Sequence, residues 1–230
     1  SKETIIARAA IYFNLKDDEK AKYYFRLAAK KSYNTTILSC LLKLHSKLDT
    51  IEETEQYFQE AQSELSEDPV FWQLWGYVLL ELKKNADASE KFLNAKYYKF
   101  PDKKLNFEFL LKALNNSDQD DKVIEIAEES ISNGYKDITI LECYVAALIA
   151  KEKFRVAYDL FNSNDIDWSG SARLNAFYAI CVNVLFQDNE KAIFFNEKAC
   201  RLDPDNIQIR WNLALVQLRS GRIKEGIENY

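Results

Sequence analysis

Residues 68–101 read DPVFWQLWGYVLLELKKNADASEKFLNAKYYKFP. Trp72 and Trp75 stand three apart and Gly76 follows at once. Further on come Ala88, Phe92 and Ala95, and Pro101 closes the run. The stretch reads as one long helix, as an aromatic binding site, or as one copy of a repeated unit. The choice decides what the whole chain can do.

The spacing small-x-x-x-large-x-x-small settles the choice, because it recurs. It appears as Ala21–Phe25–Ala28, Thr54–Phe58–Ala61, Val123–Ala127–Ser130, Ala157–Phe161–Asn164 and Ala192–Asn196–Ala199, and the chain ends on Gly226 and Tyr230. The leading residues lie 33, 34, 35, 34, 35 and 34 apart. A period held this closely is the signature of a repeat architecture. The upstream half of the unit agrees. Trp72, Trp75 and Leu79 correspond to Leu38, Leu41 and His45, to Phe107, Leu110 and Leu114, and to Leu141, Tyr144 and Leu148. Spacings of three and four place each set on one helix face. Each unit is therefore expected to be a helix, a short turn and a second helix, whose small residues admit a close neighbour around a large one.

On these residues the chain resembles the tetratricopeptide repeat (TPR) family, whose helix–turn–helix units carry W-x-x-L-G-x-x-Y and A-x-x-x-F-x-x-A patterns. Trp72, Gly76, Ala88, Phe92 and Ala95 match, with Pro101 one place late. Pro204 in ACRLDPDN and Gly221 in WNLALVQLRSGRIKEG fall where the family has them. Gly76 is the one glycine at the small first-helix position, most units lack the closing proline, and Ala127 and Asn196 replace the second-helix aromatic. The resemblance implies an all-α, right-handed α-solenoid over residues 1–230. Its seven units start near 2, 35, 69, 104, 138, 173 and 207, and the last is truncated. Stacked units share a core that no single unit can form. The segment Asn162 to Ala172 reads as a long turn after a shortened second helix, with a hinge or a contact loop as the other reading.

Composition narrows the function. Gly (5) and Pro (3) are scarce, and helix-forming residues dominate. The net charge is −5, with Lys and Arg interleaved among Asp and Glu, which speaks against a nucleic-acid partner. No apolar run reaches the roughly 20 residues needed to span a bilayer. Cys40, Cys143, Cys181 and Cys200 form no C-x-x-C pair and read as small buried hydrophobes in a reducing, cytoplasmic setting. His45 is the only histidine, and phosphate-loop and metal-ligand motifs are absent. No catalytic residue, cofactor or metal is expected. A Cys40–His45 nucleophile pair is outweighed by a satisfied, partly buried histidine at a packing position. Trp72 and Trp75 belong to the core, and Trp168 has no assigned role.

The resemblance also implies a concave groove lined by first helices. Its inward positions select Ser39, Lys43, Gln73, Tyr77, Glu108, Lys112, Glu142, Phe177, Tyr178, Trp211 and Asn212. Tyr77, Tyr178 and Trp211 should be at least partly exposed. The clamp by which some family members hold a chaperone tail is missing, since two isolated lysines do not form it. Glu108 and Glu142 argue against an RNA-reading groove. A non-enzymatic scaffold that binds a peptide or partner protein is therefore expected, with self-association through the solenoid ends as a further option. The run RWNLALVQLRSGRIKEG is also similar to the final repeat of bacterial TPR-linked glycosyltransferases, which implies an accessory region of a larger enzyme as the alternative. Tyr230 falls at the second-helix aromatic position with no cap beyond it. The chain is thus expected to be part of a longer protein, with residues after Lys224 frayed or docked on a neighbour.

Overall fold

The computed structural model describes residues 1–48, 50–163 and 167–230. Among them are fourteen α-helices and no strand. They divide into two compact units, Ser1–Ser117 and Asp118–Tyr230. Unit 1 holds α1 (Lys2–Asn14), α2 (Asp18–Ala29), α3 (Thr35–Lys47), α4 (Glu52–Leu65), α5 (Pro69–Glu81), α6 (Asn85–Tyr97) and α7 (Lys103–Asn115). Unit 2 holds α8 (Asp120–Ser132), α9 (Ile138–Ala150), α10 (Phe154–Asn162), α11 (Ala172–Phe186), α12 (Asn189–Leu202), α13 (Ile207–Arg219) and α14 (Ile223–Asn229). Odd-numbered helices are the first helices of the repeats and even-numbered ones the second.

Local chemistry starts and stops these helices. Ser1, Asp17, Asn34, Asp68, Asp102, Asp137, Ser171, Asp188 and Asn206 each cap a helix by accepting a backbone N–H in its first turn. Six of the turns that follow a first helix share one backbone device. A residue with positive φ follows the first helix: Lys16, Lys83, Asp118, Glu152, Gln187 or Gly221. In several turns the next N–H then reaches back five residues. Examples are Asp17 N to Tyr12 O at 3.0 Å, Lys84 N to Leu79 O at 2.8 Å, Lys153 N to Leu148 O at 2.8 Å and Arg222 N to Gln217 O at 2.9 Å. This is the left-handed C-terminal closure that satisfies a helix's last carbonyls.

Within each unit, a second helix packs both on its own first helix and on the first helix that follows, as α6 does on α5 and α7 and α12 on α11 and α13. The small-large-small residues fill these seams. Ala21, Phe25, Ala28, Thr54, Phe58, Ala61, Ala88, Phe92, Ala95, Ala192, Asn196 and Ala199 are all buried. At Gly76 the contact is closest, since a Cβ there would stand 2.6 Å from Cε1 of Phe92. The tryptophans of the opening stretch belong to this core. Trp72 and Trp75 stack on each other at 5.7 Å, and Trp75 meets Phe58 at 6.2 Å and Phe71 at 5.6 Å. Lys91 Nζ lies 4.5 Å over the Trp75 ring, an attraction of about 0.5–2 kcal/mol.

Unit 2 departs from the repeat at α10, which has only nine residues. Trp168 stands where further helix would pack. Its indole N–H donates to Phe161 O at 3.0 Å, and its ring meets Phe161 at 4.9 Å, Tyr178 at 5.1 Å and Phe195 at 5.9 Å. Asn164, the third residue of that repeat's seam pattern, lies outside the described residues. Residues after Lys224, expected to fray or to dock on a neighbour, are helical and pack on α13. Helix α14 runs to Asn229, whose Nδ2 donates to Gln217 Oε1 at 2.9 Å, and Tyr230 rests 4.8 Å from Trp211. Gly226 lets α14 lie directly against α13, because a Cβ there would meet Leu218 at 2.7 Å.

Candidate functional site

The buried residues of a first helix cover one side of it. In α3 these are Ile37, Leu38, Leu41, Leu42, Leu44 and His45. The opposite side is the candidate site. In unit 1, Lys43 and Lys112 are exposed, and Ser39, Tyr77 and Glu108 are half-buried. The Tyr77 ring stands edge-on to Phe109 of α7 at 5.6 Å, and Phe109 stacks on Phe92 at 5.7 Å. Burial, and then the nearby Glu81 carboxylate, push the Tyr77 phenol pKa up. Glu108 pairs with Lys104 at 3.5 Å, one turn away on the same helix.

In unit 2, Glu142 of α9 is already engaged. It accepts from Ser171 Oγ at 2.7 Å and pairs with Arg173 of α11 at 3.2 Å. The Arg173 guanidinium lies 5.7 Å over the half-buried Phe177. An open depression of about 460 Å³ beside them is lined by Glu142, Asp167, Ser171, Arg173 and Asp203, among others. Trp211 of α13 is 38% exposed. Asn212 is half-buried and accepts from Gln208 Nε2 at 3.2 Å.

Two residues expected to face the groove do not. Gln73 is 6% exposed. Its Oε1 accepts from Asn106 Nδ2 of α7 at 2.8 Å, and that amide also donates to Phe92 O at 3.1 Å. The neighbouring first helix closes over this position, so a polar pair bridges α5 and α7. Tyr178 is 4% exposed. Its ring lies among Phe161, Trp168 and Phe195, with Lys191 Nζ 5.3 Å above it. The short α10 leaves room that Tyr178 fills from α11. Sequence reasoning also missed the Asn106–Gln73 link and the Arg173–Glu142 pair. Both cross between repeats, and helical periodicity carries no signal for them.

His45 is fully buried rather than partly. Its Nδ1 lies 2.8 Å from both Thr50 O and Thr50 Oγ1, and Nε2 has no partner among the described residues. Burial first, and the nearby Lys22 charge second, hold its pKa below the ordinary value. Cys40 is half-buried, with its thiol pKa raised by burial. Five residues correspond to about 140° around a helix, so Cys40 and His45 point apart and assemble no nucleophile–base pair. Among the described residues no group of three or more His, Cys, Asp or Glu is placed to hold a metal. None of the described helices is long and apolar enough to cross a membrane.

Paired helices of constant period, packed through small-large-small seams, define an all-α helical repeat of the TPR-like kind. No protein-family model and no curated protein sequence matches the chain. Solved structures do. A tetratricopeptide repeat protein from Parabacteroides merdae superposes with a TM-score of 0.67 at 11% identity, over 99% of this chain and 90% of that one. YrrB, described as a TPR protein with an unusual peptide-binding site, gives 0.64 at 15% identity, over 86% and 98%. PilF of Pseudomonas aeruginosa gives 0.63 at 18%, over 95% and 97%. At such identities the likeness is one of fold.

Proposed function

We propose that the chain is a non-catalytic docking scaffold that holds a peptide segment or partner protein on the exposed faces of its first helices. The carrying observation is the placement of part-exposed rings beside polar groups on those faces: Tyr77 with Lys43 and Lys112 in unit 1, and Phe177 and Trp211 with Arg173 and Asn212 in unit 2. Aromatic rings at a surface bury large area at little entropic cost, and such residues dominate binding energy. The second helices meanwhile spend their patterned residues on the core. The fold shared with YrrB, itself described as having a peptide-binding site, supports the reading.

Selection of a random displayed-peptide library on the chain tests it. Selected peptides should lose about tenfold or more in affinity, roughly 1.4 kcal/mol, on Tyr77→Ala or Trp211→Ala, measured at a temperature well below the melting point of either variant. Peptides indifferent to every first-helix substitution, or no selected peptide at all, would refute the reading.

A further inference from the structure

Lys43, Tyr77 and Lys112 stand 34 and 35 residues apart, one repeat period each time. They occupy the same register toward the C-terminal ends of α3, α5 and α7. Helix α3 packs on α5, and α5 on α7, so the three side chains follow one another across unit 1. Some lysines of this unit are engaged by carboxylates, among them Lys47 by Asp18 at 3.4 Å, Lys84 by Glu55 at 2.6 Å and Lys104 by Glu108 at 3.5 Å. Lys43 and Lys112 are exposed and have no ion-pair partner among the described residues. Between them the half-buried Tyr77 and Phe109 present ring surface.

We propose that this face takes an extended acidic peptide segment, with one carboxylate side chain on Lys43, another on Lys112 and an apolar side chain between them on Tyr77 and Phe109. The proposal rests on the docking function above and narrows it. Packed helices lie about 8–10 Å apart, so two lysines separated by two helix steps receive carboxylates roughly 16–20 Å apart. A polyproline-II strand advances about 3.1 Å per residue with three residues per turn, so about six positions span this gap and put both acidic residues and the residue midway on one side. Carboxylate is favoured over phosphate because the face offers two separate ammonium groups and no arginine fork. A nucleic-acid strand needs many phosphate contacts along a basic track, whereas Glu81 and Glu108 interrupt this one.

Fluorescence anisotropy on the whole chain tests the proposal with labelled synthetic peptides and an RNA probe. One peptide carries two Glu about six positions apart around a central Leu. A second has both Glu replaced by Gln, a third has the two Glu adjacent, and a fourth has phosphoserine for Glu. Single-stranded oligouridine is the nucleic-acid probe. The spaced-Glu peptide should bind about tenfold tighter than the Gln and adjacent-Glu peptides, a preference that weakens as salt rises. The double substitution Lys43→Gln and Lys112→Gln, at two exposed sites, should abolish the preference without moving the thermal melt. Equal binding of the Glu and Gln peptides overturns the inference but leaves the docking function standing if library-selected peptides still bind. Failure of the probes and the library alike overturns both. Tighter binding of the phosphoserine peptide or of oligouridine, lost in the double variant, also overturns it, because the face then reads another anion.

Discussion

Gly76→Ala offers a sharp measure of how closely the repeat seam is packed. The new Cβ would stand 2.6 Å from Cε1 of Phe92 and 2.8 Å from Cδ1 and Cζ. Carbon contacts settle at about 3.5–4.0 Å, so the ring would have to retreat by roughly 1 Å. It has little room to do so, being fully buried and stacked on Phe109 at 5.7 Å. Overpacking of this kind costs about 1–3 kcal/mol, while Gly→Ala inside a helix returns about 1 kcal/mol. The single substitution should therefore destabilise by about 1 kcal/mol, or about 2–4 °C in melting temperature. Phe92→Ala alone should cost about 3–5 kcal/mol. In the double variant the methyl group sits in the vacated space and the clash disappears, leaving a coupling of about 1–3 kcal/mol between the sites. Urea denaturation followed by circular dichroism, on all four members of the cycle, measures it. Additivity within about 0.5 kcal/mol would refute the close contact.

Three further outcomes are expected. His45 is buried and neutral with its pKa lowered, so the unfolded chain takes up its proton first as pH falls. The associated stability is present above the ordinary histidine value of 6.5 and is lost below it, by up to about 1.4 kcal/mol per pH unit. Lys22, Arg26, Glu53 and Tyr57 face the same pocket. The loss should be absent in His45→Gln when melts at pH values on either side of 6.5 are compared. Trp168→Ala removes ring contacts to Phe161, Tyr178 and Phe195 and should cost about 2–4 kcal/mol; a melt like the wild type would show that the loop is no part of the core. Lys83→Gly, at a φ of 58°, should stabilise by about 0.5–1 kcal/mol, and a lowered denaturation midpoint would contradict the closure described for that turn.

Much of the fold was legible because it is local. Ala88, Phe92 and Ala95 and their counterparts mark the seams, and spacing of three and four reports helix faces directly. Gly76 was legible as the glycine at the small first-helix position, whereas its close contact with Phe92 across the seam was not. The candidate site was legible only in part. Lys43, Lys112 and Trp211 are exposed where the register puts them. Gln73 and Tyr178 were misread because one helical residue is about 100° of rotation, and their burial is decided by neighbouring helices. Trp168 could not be read at all, since its role follows from the early end of α10. The helicity of α14 likewise depends on Gly226 letting it lie against Leu218.

The closure of the helix pairs has a consequence for descent. Its requirement is a left-handed backbone step, and Lys, Asp, Glu, Gln and Gly all supply it here. A joint specified by the main chain tolerates free drift in its letters. Two copies born by duplication can lose nearly all resemblance at the turn and still reverse the chain by the same angle. The natural cassette for recombination is therefore the span from one such joint to the next, roughly a repeat long, rather than a helix pair cut at its outer ends. Exchanging the segment between Lys83 and Asp118 for the one between Glu152 and Gln187 would cut both copies at equivalent backbone points. Lineages of such chains would then be expected to gain and lose length in steps of that cassette.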